Sequence, residues 1–193
     1  MKSVCVFCGS NPGGDPVFLE TAKTLGAFLA HEGLTVVYGG ASVGLMGATA
    51  NACLAAGGKV IGVLPDFLKK KELEHTGLTQ LHVVPSMHER KALMAELSDG
   101  FVALPGGMGT LEEFCEIVTW AQLGLHAKPC GLLNVGGFYD PLLALVRTMV
   151  ENRFVRDAHA GIVLSAPTPE TLLSAMRAYR PVTAPKWIDR DKS

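Results

Sequence analysis

The sequence predicts an α/β fold: a doubly wound, Rossmann-like parallel sheet of about seven strands with helices on both faces, in a single domain. Short apolar runs without polar alternation, such as Val4-Cys5-Val6-Phe7 and Phe101-Val102-Ala103-Leu104, read as strands buried on both faces. Between such runs lie segments with apolar residues at three- and four-residue spacing, the mark of helices packed on one side. Three of the expected strands also end in glycine-rich turns, Gly9-Ser10, Gly39-Gly40 and Gly106-Gly107. In open α/β sheets the ligand crevice lies at that end of the strands.

Taken in order, residues 3–9 form the first strand and Ser10-Asn11-Pro12-Gly13-Gly14-Asp15 turns the chain. Pro16–His31 is helical, with Phe18, Ala22, Leu25 and Leu29 on one face. Thr35–Tyr38 is the second strand. It opens into Gly39-Gly40-Ala41-Ser42-Val43-Gly44-Leu45-Met46-Gly47, and the helix that follows runs to Ala56 and stops at Gly57-Gly58. Residues 59–64 are the third strand, ended by Pro65, and residues 66–78, polar and aperiodic, read as a loop with at most a helical turn. Residues 81–84 are the fourth strand, and the helix over 86–98 carries Met87, Arg90, Lys91 and Met94. The fifth strand, 101–104, leads through Pro105-Gly106-Gly107-Met108-Gly109-Thr110 into a helix marked by Leu111, Phe114, Ile117, Val118 and Ala121. Thr110 is expected to cap that helix, with Glu113 at capping-box spacing. A sixth strand at 131–135, a helix at 141–151, a seventh strand at 162–165 and a last helix at 169–178 behind Thr168 complete the domain, 1–180. Residues 181–193 read as a polar tail.

Composition narrows the function classes. The chain has 193 residues, 48% of them hydrophobic, and a formal net charge of −1, which suits one sizeable core. A near-neutral chain lacks the basic face that a nucleic-acid backbone requires, so no nucleic acid is expected as a partner. The run Lys69-Lys70-Lys71 is followed by Glu72 and Glu74 and reads as a solvated loop. No apolar run approaches the ~18 residues of a membrane helix. Residues 4–8 are too short for a signal-peptide core. A cytoplasmic protein without membrane contact is expected. The five cysteines are scattered through apolar segments. Cys5-x-x-Cys8 has the spacing of a redox or zinc pair, but residues three apart on a strand point to opposite faces. Buried, reduced thiols are therefore expected, and with no metal-spaced cluster of His, Cys and Asp, neither metal nor cofactor.

The chemistry gathers at residues 87–113. A strand passing through a glycine turn into a helix start exposes backbone N–H groups and a positive dipole end, which together make an anion site. It is not a standard nucleotide signature: Glu112 stands where G-x-G-x-x-G needs its third glycine, and no P-loop motif occurs. Spacing leaves Glu113 as either a cap or a carboxylate facing the crevice. It leaves Arg90 as either a crevice residue or a surface charge paired with Glu89 or Glu96.

Two motifs are more specific. Pro105-Gly106-Gly107-x-Gly109-Thr110-x-x-Glu113, with Met87-x-x-Arg90-Lys91 upstream, resembles the paired signature of the LOG (Lonely Guy) family. Residues 6–10, 37–47, 119–124 and 131–139 are similar too, so the resemblance spans about 3–180. It implies a nucleoside 5′-monophosphate phosphoribohydrolase that releases free base and ribose 5-phosphate and forms a homodimer. Arg90 and Glu113 are then the catalytic pair, with Gly106, Gly107, Gly109 and Thr110 on the phosphate. The rest of the expected substrate site is Gly9, Ser10, Gly39, Gly40, Gly44 and Met46 from the first two turns, Met87 and Lys91 from the preceding helix, and Pro105 and Glu112. Glu72 and Thr119 align by position rather than by motif. Prenylated adenine is the base the family implies, and plain adenine is its rival.

A carrier is the alternative, since carriers of molybdenum cofactor have a similar fold and similar glycine turns; a carrier would not need the Arg90–Glu113 pair. A nicotinamide oxidoreductase is weakened by the missing third glycine. No lysine has a context suited to a pyridoxal phosphate Schiff base.

Overall fold

A computed structural model describes residues 1–69 and 74–182. The chain alternates strand and helix: β1 (Ser3–Phe7), α1 (Pro16–His31), β2 (Thr35–Tyr38), α2 (Gly44–Ala55), β3 (Val60–Pro65), α3 (Asp66–Lys69), β4 (Gln80–Val84) and α4 (Met87–Glu96). It continues with β5 (Phe101–Ala103), α5 (Met108–Gln122), β6 (Cys130–Leu133), α6 (Asp140–Glu151), α7 (Asp157–Ala160), β7 (Val163–Ala166) and α8 (Pro169–Ala178), with a 3₁₀ turn at Val135–Gly137 before α6. Among the described residues, seven strands form one parallel sheet in the order β4-β3-β2-β1-β5-β6-β7. The chain winds outward from β1 to one edge, then crosses back to β5 on the other side of β1. That reversal is the topological switch point, where such sheets bind ligands.

Two apolar clusters pack on opposite faces of the sheet. One gathers Ala22, Leu25 and Leu29 of α1, Ala50 and Cys53 of α2 and Leu172, Leu173 and Met176 of α8. The other gathers Met94 and Ala95 of α4 and Phe114 and Ile117 of α5. Cys5 lies in the second cluster and Cys8 in the first, so the Cys-x-x-Cys spacing straddles the sheet and holds nothing between its sulfurs. All five cysteines are free, and only Cys115 is exposed. Helices α1 and α2 approach closely at Gly26, where a Cβ would come within 2.2 Å of the Thr49 carbonyl oxygen. No helix among the described residues is long and apolar enough to cross a membrane.

Differences from expectation are local. The helical turn allowed for in the loop after β3 is the short helix α3, whereas α7 was not expected and is a helical turn too brief to show a period. Residues 183–193, most of the expected tail, lie outside the described residues. Thr168 caps α8 as expected, its Oγ1 accepting from the Thr171 N–H at 3.4 Å. The capping box expected for α5 does not form. Gly107 is the N-cap, with no side-chain hydrogen bond, and Thr110 and Glu113 both lie inside the helix and are buried. The helix starts at Gly107, before Thr110, which puts Glu113 inside it and buried.

Candidate active site

The first, second and fifth strands deliver their glycine turns to one edge. The Gly9 N–H donates to the Pro105 carbonyl at 3.1 Å, and the Gly9 carbonyl accepts from the Leu45 N–H at 3.1 Å. These bonds stitch the β1, β2 and β5 ends together. Close approach requires glycine at two points: a Cβ on Gly44 (φ +56°) would lie 2.3 Å from the Ser10 backbone, and one on Gly106 would lie 2.2 Å from Thr110 Oγ1. Gly107 and Gly109 differ. A Cβ on either would meet nothing within 4 Å, and neither has a positive φ. The fold gives no internal reason for glycine there.

Helices α2 and α5 start at this edge without side-chain caps, whereas Asp15, Ser86 and Thr168 cap α1, α4 and α8. The first turn of α5, Met108 to Thr110, borders a cleft of roughly 480 Å³, so its free N–H groups and positive dipole end lie beside it, whereas the Leu45 N–H of α2 is already taken by the Gly9 carbonyl. The cleft lining includes Gly9, Ser10, Gly39, Met46, Met87, Arg90, Gly107, Gly109, Thr110, Glu112 and Glu113. Pro105, Gly106 and Phe138 line a smaller pocket of about 220 Å³ that shares Gly9, Ser10 and Gly107 with it.

Deep in the cleft, α4 and α5 bring two charges together. Arg90 Nη1 lies 3.6 Å from Glu113 Oε1, and both residues are at least nine-tenths buried. Arg90 is held by its Nε–H, which donates to the Val63 carbonyl of β3 at 3.2 Å. Its guanidinium occupies the space a side chain on Gly39 would take: a Cβ there would lie 1.8 Å from Nη2. Burial raises the Glu113 carboxyl above its usual range, and Arg90 only partly opposes that. A buried carboxylate with a raised affinity for protons, beside a fixed cation, is equipped to accept a proton or to face developing positive charge.

A family model described as "possible lysine decarboxylase" matches residues 46–176. A curated rice (Oryza sativa subsp. japonica) relative, named as a probable cytokinin riboside 5′-monophosphate phosphoribohydrolase, is 49% identical over 91% of this chain and 79% of its own length. One from Rhodococcoides fascians, named as a cytokinin riboside 5′-monophosphate phosphoribohydrolase, is 49% identical over 92% of this chain and 90% of its own. The chain belongs to the LOG family. The solved structure of a molybdenum cofactor binding protein from Rippkaea orientalis shares the fold, with a TM-score of 0.70 at 24% identity, covering 92% of this chain and 97% of its own.

Against the LOG signature, most expected site residues converge on the cleft and its adjoining pocket, and four do not line either. Gly40 (φ +78°) lies behind Gly39, packed towards Leu64 and Leu81, and serves the turn. Gly44 sets the start of α2 against Ser10 rather than lining the cleft. Thr119 is exposed on the outer side of α5, its hydroxyl donating to the Cys115 carbonyl at 2.7 Å. Lys91, expected to contact ligand, is instead buried in ion pairs with Glu112 and Glu116. Glu72 lies outside the described residues. Sequence reasoning missed the apolar wall of Ala41, Val43, Leu64 and Leu68; apolar residues at or just beyond a strand end carry no chemical signal that separates them from core. Despite the family model's description, no lysine lines this cleft among the described residues.

The buried carboxylate makes a stability prediction. Because the folded chain holds the Glu113 proton more tightly than the unfolded chain does, ionisation costs stability. That cost is fully present above the folded pKa and vanishes below the unfolded value of about 4.3. Glu113→Gln should therefore melt higher than the parent at pH 8, and the difference should close near pH 4. Melting curves across this range check it, and a lower Tm for the variant at pH 8 would refute it.

Proposed function

We propose that the chain hydrolyses the N-glycosidic bond of adenosine 5′-monophosphates, N6-prenylated ones foremost, to free base and ribose 5-phosphate. The observation that carries the reading is the buried Arg90–Glu113 pair at the end of a glycine cradle whose Gly107 and Gly109 are bare toward open space. The phosphate sits on the α5 N-terminus and the glycine turns, which offer backbone N–H groups without requiring many cations. That anchor places the anomeric carbon against Glu113. The bond breaks through an oxocarbenium-like state, and the Glu113 carboxylate stabilises the positive sugar and takes a proton from the attacking water; a proton from solvent neutralises the departing base, and Glu113 gives its proton back to solvent. Arg90, which stays protonated, fixes Glu113 and faces the negative charge growing on the base. Leu64, Leu68, Val43 and Met46 form an apolar wall suited to the base and its substituent. A carrier would have no use for a buried acid–base pair. The free cysteines suit the reducing cytoplasm, where we place the reaction.

We further propose that a second copy covers the outer face of α5 and α6. Helix α6 has no buried residue, and Leu145 (50% exposed), Met149 (36%) and the following Phe154 (84%) are large apolar side chains left exposed on it and just after it. Thr119 and Cys115 line a pocket on the same side with Met149 and Val155. Light scattering of the native chain should give a dimer mass, and Met149→Asp with Phe154→Asp should give a monomer. A monomeric native chain overturns this reading.

Glu113→Gln should lose roughly 10²–10⁴-fold in turnover while staying folded. Arg90→Lys should be nearly as damaging as Arg90→Ala, because an ammonium cannot copy the planar fork that reaches Val63 and Glu113 together. Near-normal turnover in the Gln variant would reduce Glu113 to a structural residue.

The cradle also predicts dependence on the 5′-phosphate. AMP and N6-prenyl-AMP should be cleaved, and their nucleosides hardly at all, with kcat lowered as well as KM raised, since binding energy at the phosphate aligns the reacting carbon. Chromatography of the released bases at matched concentrations reads this directly. Comparable kcat/KM for AMP and adenosine would remove the phosphate from the glycine turns.

A further inference from the structure

Three carboxylates stand within five residues on α5: Glu112, Glu113 and Glu116. Only Glu113 meets Arg90. Glu112 and Glu116 lie one turn apart, where like charges repel, and both are answered from α4 by Lys91. Its Nζ makes a short ion pair with Glu112 Oε1 and lies 3.0 Å from Glu116 Oε2. The Lys91 side chain is 8% exposed, whereas that of Glu112 is 55% exposed and that of Glu116 26%. A ligand phosphate could reach the ammonium only by displacing both carboxylates, and Lys91 is not part of the cleft lining. Arg90–Glu113 and Lys91–Glu112/Glu116 are thus adjacent rungs of one ladder between α4 and α5.

We propose that Lys91 is a positioning residue: held between Glu112 and Glu116, it neutralises their charge beside Glu113 and fixes α5 against α4, so that Glu113 stays ionised opposite Arg90. This rests on the reading of Glu113 as the reacting carboxylate. The groups that act on Glu113 are Arg90 and Lys91 from α4 and Glu112 and Glu116 on its own helix, while the Cys5 and Cys8 thiols from β1 and its end feel its charge. Burial of Glu113 raises its affinity for protons most, Arg90 opposes that, Glu112 and Glu116 add to it, and Lys91 works against them. Lys91 itself keeps its proton: burial acts against the charge, and the two glutamates outweigh burial. Removing the ammonium therefore leaves two uncompensated carboxylates next to one that is already reluctant to ionise.

The test reads Glu113 directly, by ¹³C NMR titration of glutamate carboxyls in the full chain, with the Glu113 resonance assigned through Glu113→Gln. In Lys91→Met the Glu113 midpoint should move to higher pH, and in Lys91→Arg, which keeps the charge, it should return toward the parent. In Glu112→Gln it should move the opposite way, to lower pH, which supplies the test if Lys91→Met fails to fold. With AMP as substrate, the acid limb of kcat/KM should follow: at pH 5.5, Lys91→Met should fall roughly three- to tenfold further below its plateau than the parent does. An unmoved Glu113 midpoint in the Met and Gln variants overturns the proposal, as does an unmoved acid limb with KM raised for AMP, the signature of a substrate contact. Failure of the parent to cleave any nucleoside monophosphate would instead overturn the proposed function, while the titration would still decide the role of Lys91.

Discussion

A guanidinium withdrawn from water costs several kcal/mol unless fixed acceptors replace its hydration, and Arg90 meets that demand with partners from two other elements. The Val63 carbonyl at the end of β3 takes its Nε–H, and Glu113 on α5 faces its Nη1. The space comes from a fourth element, because Gly39 at the end of β2 has no side chain to fill it. Shift any of these and the cation loses either its acceptors or its room. Glu113 depends on the arrangement in turn, since Arg90 is the largest influence opposing its desolvation. The cleft floor is therefore one unit, in which the acid and the cation make each other's burial tolerable.

The sheet supplies the frame for that unit. The reversal of winding between β1 and β5 puts the Gly9 and Pro105 turns side by side, bonded through the Gly9 N–H. Tyr139, buried at the start of α6, donates its hydroxyl to the Leu104 carbonyl at 2.6 Å and ties the end of the fifth strand from the opposite side. With the turn held at both flanks, α5 begins at Gly107, and its first turn borders the cleft.

Much of this was legible in the residues. Apolar runs without alternation, helical periods between them and glycines at three strand ends were enough for a parallel doubly wound sheet and its ligand edge. The paired motifs named Arg90 and Glu113, but no spacing rule showed that they meet; that follows from α4 and α5 packing on one face. Glu113 was open to misreading because Thr110-x-x-Glu113 has the same spacing as a capping box. The deciding fact, that Gly107 starts the helix one turn earlier, is conformational and has no side-chain signature. Lys91 was unreadable for a related reason. Its partners Glu112 and Glu116 lie on another helix, and a lysine next to an arginine looks the same whether it faces a ligand or two carboxylates. Helices α3 and α7 are one turn each, too short for any period to emerge.

The proposed phosphate cradle is made of main-chain amides, and that bears on how such a site can change over time. Every residue but proline carries an N–H, so replacing a side chain at the α5 start does not delete a donor; it acts by adding bulk at Gly107 or Gly109, where the approach is open. The opposite wall, Val43, Met46, Leu64 and Leu68, is side chain throughout and contributes no hydrogen bond to the Arg90–Glu113 pair. On the proposed reading, lineages built on this scaffold can exchange apolar residues there and alter which base is accepted, while the proposed anchor for the sugar phosphate persists unchanged. Selectivity evolves on one side of the cleft, and grip on the other is inherited with the backbone.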